Sequence, residues 1–213
     1  MNPGATAGPT EVLEVPKTVQ QYHGDADHRR TVDLVLEHEG IAPGGLDWDE
    51  LSQYFRTWLM AEQTRLDNWE LLLAANRRLW GEDAPTFGGR LRECDPAYYD
   101  RENSVRSAWE EQALYRFLVP EDGSSTRIRE ALLGCWIDGG YLRLWLWFMD
   151  ADQSCPSSDL DLGRGWEPLP FNDERYSAPI LITEGVHLSR AMLDLGNLKQ
   201  ASEEALARLS TIA

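Results

Sequence analysis

The chain has 213 residues, 42% of them hydrophobic, and a formal net charge of −16. A chain of this length buries roughly 70% of its unfolded surface, so its folding requires neither a disulfide nor a metal ion. The negative charge is spread along the chain and opposes contact with a phosphate backbone, so we expect no direct nucleic-acid binding; it favours solubility, a basic partner or life at high salt.

The N-terminal segment has the composition of a leader. Turn-forming residues recur in it, and they include Pro3, Gly4, Gly8, Pro9 and Pro16. Because large apolar residues are few there, we predict a leader over 1–28 that is loose or only partly ordered, followed by a single domain over 29–213. The first regular element of that domain is a short helix predicted from Thr31 to Glu39.

A long helix is predicted next, beginning after Asp47 and continuing to Trp80. Glu50 stands three positions after Asp47, where a capping box places its second acceptor. Apolar residues then recur at alternating three- and four-residue steps, and Trp58, Trp69 and Trp80 line up because eleven residues turn only ~20° beyond three full turns. We interpret this tryptophan seam as a packing surface against a sheet or a second helix, in preference to a binding rail.

Residues 81–103 are irregular, and the segment after them combines two patterns. Val105 to Leu118 has helical spacing in its first part, yet it alternates like a strand near its end. We therefore expect at least the end of this segment to be a strand, which would make a meander of three strands with the hairpin that follows.

The most informative segment is the hairpin predicted over 128–150. Ile128–Asp138 and Tyr141–Asp150 have the pattern of strands, joined by a tight turn at Asp138-Gly139-Gly140 that tolerates positive φ angles. The two-residue loop is either Asp138-Gly139 or Gly139-Gly140, and both place the same side chains together. Alternation along the two strands separates the side chains into two faces. The aliphatic face receives Ala131, Leu133, Cys135, Ile137, Leu142, Leu144, Leu146 and Phe148. The aromatic face receives Glu130, Leu132, Trp136, Tyr141, Arg143, Trp145, Trp147 and Met149.

The aromatic face is the strongest candidate for a binding site. Its rings can stack on a planar or sugar ligand, with Arg143 holding an anion and Glu130 opposing that arginine across the strands. The preferred interpretation is nevertheless that the long helix lays the tryptophan seam on this face and buries both. In a third arrangement the face is partly covered, and its remainder docks a partner protein.

A connection of about thirty residues, Asp150 to Pro179, follows the hairpin, and loops of this length are usually lids, binding loops or disordered tracts. The apolar residues of this connection can cover an apolar surface; they are Leu160, Leu162, Trp166, Phe171 and Tyr176. Ile180 to Leu193 is predicted as a strand interrupted at Gly185. Asn197 is expected to cap a final amphipathic helix.

No residue pattern in the chain specifies a nucleophile or a phosphate loop. Cys94, Cys135 and Cys155 are widely spaced and lack a Cys-x-x-Cys pair, which predicts a reduced, cytosolic location. A Gly-x-Ser-x-Gly elbow and a glycine-rich loop with its lysine are both absent from the sequence. No segment approaches the ~20 apolar residues of a membrane span, so we expect no membrane association.

The sequence also lacks a recognisable pattern of metal ligands. His23 and His28 flank Asp25 and Asp27, but the cluster falls in the predicted leader, and a solvated loop is the preferred interpretation. His187 on the late strand is interpreted as a structural residue. We therefore predict no metal, no cofactor and, on balance, no catalysis.

Together these patterns predict an α+β fold with N-terminal helices including one long helix, an antiparallel sheet of about 3–5 strands and a C-terminal helix. For function, we expect a small acidic cytosolic protein that binds another protein, with the aromatic face as its contact surface, as an inhibitor, chaperone or regulatory subunit. Two alternatives stay open: a small-molecule-binding protein or enzyme with a pocket between the aromatic face and the 150–179 loop, and an acidic mimic of nucleic acid. The oligomeric state is not specified by the sequence.

Overall fold

The computed structural model describes residues 12–38, 42, 44–81, 91–93, 101–120, 128–150, 165–169 and 180–209. These residues form an α+β fold, as predicted. The elements, in chain order, are β1 (Val12–Glu14), α1 (Lys17–Gly24), α2 (Ala26–Glu37), α3 (Trp48–Trp80), β2 (Leu91–Glu93), α4 (Arg101–Glu111), β3 (Ala113–Pro120), β4 (Ile128–Asp138), β5 (Tyr141–Asp150), β6 (Trp166–Leu169), β7 (Ile180–Thr183), β8 (Val186–His187), β9 (Met192–Asp194) and α5 (Gly196–Leu209).

The main sheet is antiparallel and, within the described ranges, has seven strands. Its order is β2-β3-β4-β5-β7-β6, and β8 pairs with β5 beside the hairpin turn. The predicted meander β3-β4-β5 is its centre. The sheet is wider than the 3–5 strands expected, because β2, β6 and β8 have three, four and two residues, too few to produce a periodic pattern.

The hairpin has the predicted strands and turn. Gly139 and Gly140 form the loop with φ angles of 56° and 84°, and Asp138 pairs with Tyr141. Leu142 then lies opposite Ile137, and the alternation continues with a register shift only between Ile128 and Glu130. Both face assignments are confirmed.

Helix α3 lies on the aliphatic face of the sheet. Leu142, Leu144 and Leu146 are completely buried, and they share one core with residues of the second half of α3: Leu71, Leu72, Ala75, Leu79 and Trp80. The small and aliphatic side chains of α3 allow the close approach that dense packing requires. The preferred interpretation, in which the tryptophan seam covers the aromatic face, is therefore wrong.

The seam does pack, as the sequence predicts, but against two clusters. Trp80 belongs to the main core and Trp69 packs against it. Trp58 packs against a second cluster, formed between α1, α2 and α3 by Tyr22, Val32, Val35 and Ala61. The predicted capping box at Asp47 and Glu50 is present. None of the described helices is both long and apolar enough to cross a membrane.

Within the segment predicted as a leader over 1–28, the described residues 12–28 are ordered. Residues 12–24 contain β1 and α1, and Leu13, Val15 and Val19 are buried in the main core. Strand β1 pairs with β9, where Leu13 lies opposite Leu193. These few apolar residues have their partners far along the chain, so local composition could not reveal their burial.

Two helix starts also differ from the predicted ones. Helix α2 begins at Ala26 rather than near Thr31, because the Asp25 carboxylate caps it by accepting from the N–H groups of Asp27 and His28. Helix α5 begins at Gly196, whose N–H donates to Asp194 Oδ1 at 2.9 Å. Asn197 therefore lies inside the helix instead of capping it.

A buried arginine fastens the end of α3 to the sheet. Arg116 lies opposite Leu133, on the aliphatic face of β3, and is 7% exposed. Its Nε donates to Asn76 Oδ1 at 2.7 Å, and its guanidinium also donates to the carbonyl of Gly81 at 2.7 Å. Gly81 ends the helix, so this bond satisfies a terminal carbonyl and places a positive charge at the negative end of the helix dipole.

We expect Arg116→Met to lower the free energy of unfolding by about 2–4 kcal/mol, because the buried side-chain oxygen of Asn76 and the helix-terminal carbonyl of Gly81 lose their donor. Urea denaturation measures this loss. Arg129→Met is the matched control, since Arg129 is an exposed arginine on β4. Equal losses in the two variants would show that the Arg116 contacts do not stabilise the fold.

Candidate functional site

The aromatic face extends over more strands than the sequence indicates. Strand β3 adds Tyr115 and Phe117, which lie opposite Gly134 and Leu132. Strand β7 adds Ile182, opposite Trp145. The alternation at the end of the ambiguous 105–118 segment was the signal for the two β3 residues. Ile182 could not be assigned in advance, because its face depends on the pairing of β7 with β5.

No described helix packs on the aromatic face. The buried hydrophobic residues of the described helices belong to the core on the aliphatic face or to the second helical cluster. The aromatic face is consequently half-buried over most of its area, at Tyr115, Phe117, Leu132, Trp136, Arg143 and Trp145. Tyr141 is 39% exposed at the edge.

A glycine lies at the centre of this face. Gly134 stands between Tyr115 on β3 and Trp145 on β5 in the pairing of the three strands. Strands β3 and β5 are two spacings apart, ~9.5 Å, yet the two ring centroids are only 5.6 Å apart. The rings therefore lean toward each other over Gly134, which is possible because no side chain rises between them.

Trp147 marks a covered end of the face. Its exposed fraction is 6%, although it belongs to neither hydrophobic cluster of the described residues. Trp136 and Trp145, on the same face, stay half-buried. The aromatic face is thus covered at one end and accessible at the other.

Arg143 is held by the protein itself. A guanidinium nitrogen donates to the carbonyl of Thr183 at 3.0 Å, and Nε lies 3.5 Å from Asp138 Oδ2. The guanidinium also lies 5.5 Å from the ring centroid of Tyr141. These contacts fix the side chain and partly neutralise its charge, so it is a weaker anion ligand than the sequence suggests.

The expected opposition of Glu130 and Arg143 is wrong. Arg143 pairs with Trp136, whereas Glu130 pairs with Met149. The six-residue separation along β4 corresponds to ~20 Å. Asp138, next to the turn, supplies the carboxylate instead, and Glu130 lies at the far rim of the face.

The 150–179 connection is described only at Asp150 and over 165–169. There Trp166 packs against the main core and donates Nε1–H to the carbonyl of Ala201 at 3.1 Å. Trp166 therefore serves the core and not the aromatic face. Leu160, Leu162, Phe171 and Tyr176 lie outside the described residues, and with them most of the pocket expected between the loop and the face.

Cys135 has no reactive character. It is a free thiol, completely buried in the core, and burial raises its pKa to about 12. A thiol that stays protonated is a poor nucleophile and a poor metal ligand. Cys94 and Cys155 lie outside the described residues.

The histidine and aspartate cluster at 23–28 is divided by the fold. Asp25 is occupied with capping α2, which lowers its pKa. His23 is buried, and its Cβ lies beside Gly140 of the hairpin turn. The His187 ring lies beside the same glycine. His187 accepts from the Ser189 N–H at 3.1 Å through Nδ1 and meets the Tyr141 ring edge-on at 4.7 Å. Among the described residues, no three His, Cys, Asp or Glu side chains are grouped to hold a metal ion.

No protein-family model matches this chain, and neither does a curated protein or a solved structure. The aromatic face, which the described core does not use, is the feature of the sheet that points to a function.

We expect Gly134→Ala to destabilise the protein by about 1–3 kcal/mol or more, as overpacking does. A Cβ at this position would lie 2.3 Å from the carbonyl oxygen of Leu114 and 2.5 Å from Tyr115 Cα, and backbone cannot rotate away. Gly44→Ala is the control, because its Cβ would meet nothing within 4 Å. Thermal unfolding of both variants measures the difference, and a Gly134→Ala protein as stable as the control would contradict the close approach of β3 and β4.

We also expect acid to weaken the fold through His23. Burial, with a contribution from the Arg29 charge, lowers the pKa of His23 from 6.5 to about 4. As pH falls from 6.5 toward 4, His23 therefore becomes protonated in the unfolded chain but stays neutral in the folded chain. The free energy of unfolding decreases over that pH range. The complete loss of folding stability from this one histidine is ~3 kcal/mol, and none of that loss is present above neutral pH.

Urea unfolding between neutral pH and pH about 4.5 tests this linkage. The stability of His23→Gln should fall less steeply with pH than that of the natural protein. His38→Gln, at an exposed histidine that ends α2, should keep the natural slope. Parallel curves for the natural protein and His23→Gln would remove His23 as the cause.

Proposed function

We propose that the protein is a non-catalytic binding protein that docks another protein on the accessible part of its aromatic face. The observation that supports this most is the placement of α3, which buries the aliphatic face and leaves Trp136 and Trp145 only half-buried on the other. An aromatic patch that a domain leaves accessible on one face of a sheet usually marks an interaction site.

The residue types and the shape of this surface favour a protein ligand. Tryptophan, tyrosine and arginine supply most of the binding energy in protein interfaces. The accessible part spans β3, β4 and β5, ~10 Å across, on a sheet rather than in a concave pocket. Small molecules are usually bound in concave sites that surround most of their surface.

The partner we expect has an apolar centre and a basic rim. Glu130 and Asp138 lie toward opposite ends of β4 on this side of the sheet, and Glu167, opposite Ile182, extends the acidic rim across β6. The net charge of −16 adds a long-range attraction for a basic partner. An inhibitor, a chaperone or a regulatory subunit would each use such a surface, and the free thiol of Cys135 suits a reducing, cytosolic setting.

The test begins with a partner identified by cross-linking and then measures its affinity for variants. Trp136→Ala and Trp145→Ala should each weaken binding about tenfold or more, as truncation of interface tryptophans does. Met192→Ala is the control, because Met192 is 53% exposed on β9, away from the main sheet. Affinity should also fall as salt is raised.

Circular dichroism of each variant separates loss of binding from loss of folding. A partner that binds folded Trp136→Ala and Trp145→Ala at natural affinity would overturn the proposal. A clean monomer that captures no protein from extract would count against it equally.

One observation favours a second candidate, a small-molecule-binding protein. The covered Trp147 beside the half-buried Trp145 gives the face one closed end, against which a planar or sugar ligand could stack. Titration with aromatic and sugar compounds, followed by tryptophan fluorescence, distinguishes the two candidates. A saturable change that is lost in Trp145→Ala would favour this one.

A further inference from the structure

The first turns of α3 carry apolar side chains on their solvent side. Trp48 is 80% exposed, Phe55 45% and Leu59 61%. At about 100° per residue these positions lie within ~40° of one another. They form a single stripe, together with Ser52, that runs ~16 Å along the helix; we call it the α3 stripe.

The α3 stripe is not the side of the helix that packs in the domain. Ala61 and Thr64 are completely buried, and the helical rotation places them on the opposite side of α3 from the stripe. Trp48, Phe55 and Leu59 belong to neither hydrophobic cluster of the described residues, whereas Trp58 of the same turns packs against the second cluster. The ring contact of Phe55, with Tyr54 at 6.0 Å, lies within α3 itself. An amphipathic helix needs only one apolar side to fold onto its domain.

We propose that the α3 stripe pairs with the same stripe of a second copy of the chain, with the two helices antiparallel across a two-fold axis. With the axis between Ser52 and Phe55, Trp48 of one copy faces Leu59 of the other. Ser52 then faces Phe55, so a small side chain meets a large one twice. Every contact is made in duplicate, as a two-fold interface requires.

Charge along one edge of the stripe selects this orientation. Asp49 and Arg56 are both exposed and share that edge, and neither makes an ion pair with another described residue. An antiparallel pair brings like edges together, so Asp49 of each copy meets Arg56 of the other. A parallel pair would set this edge against Leu51 and Trp58, which offer no charge; flanking charges of this kind determine helix orientation in coiled coils.

The size of the contact indicates a weak dimer. Three large apolar side chains from each copy bury several hundred Å² in total, less than the ~1,200–2,000 Å² of stable interfaces. The acidic charge of each copy opposes association at low ionic strength. We therefore expect a dimer in the micromolar range that strengthens at moderate salt.

Analytical ultracentrifugation of the full chain, from about 5 to about 500 µM, tests the pairing. The natural protein should shift from monomer to dimer over this range, and Leu59→Glu should stay monomeric. Leu34→Glu is the matched control, because Leu34 is a 47% exposed leucine on α2, outside the stripe. Circular dichroism confirms that each variant is folded.

A charge exchange tests the orientation separately. Asp49→Arg and Arg56→Asp should each weaken the dimer by about tenfold, because each places like charges opposite one another twice. The double variant should restore the natural dissociation constant. A protein that stays monomeric at the highest concentration, a Leu59→Glu dimer of natural strength, or a double variant as weak as the single ones would overturn the proposal. None of these outcomes bears on the aromatic face, which lies on another element.

Discussion

Burial of the aliphatic sheet face under the second half of α3 is the interaction on which the rest of the structure depends. The leucines of β5 are completely buried there, and each contributes roughly 1.5–3 kcal/mol on leaving water. Arg116 adds direction to this contact, because its bonds to Asn76 and Gly81 fix where the helix ends on the sheet. Hydrophobic burial alone is not directional.

The aromatic face follows from that arrangement. Helix α3, together with buried residues of α1, α4 and α5, covers one side of the sheet. The opposite side keeps the side chains that the alternation of the strands places there. Here that side keeps indoles, the tyrosines of β3 and β5, and an arginine that Asp138 and Thr183 already hold. Gly134 lets Tyr115 and Trp145 lean together at its centre, which makes this surface continuous instead of a row of separate rings.

The turn of the hairpin joins the sheet to the N-terminal elements. Gly140 lies between His23 of α1 and His187 of β8, and its carbonyl accepts from the Leu188 N–H at 2.9 Å. Residues 12–28, which belong to the segment that the composition assigned to a leader, thus pack at one end of the sheet. Tyr22 of α1 also belongs to the second hydrophobic cluster, which packs on α3 next to the first turns that carry the exposed α3 stripe.

What the sequence determined by itself was local: the Asp47 capping box, the glycine turn at 139–140, and the separation of Leu144 from Trp145 by alternation. Each depends on neighbours a few residues away, whose spacing is visible in the chain. Only the tertiary structure decided which face α3 covers, that Leu13 and Val19 are core residues, and that Asp138 rather than Glu130 accompanies Arg143. Those outcomes depend on contacts between distant segments, such as Arg116 with Asn76, and no local pattern encodes the relative energy of two competing long-range packings.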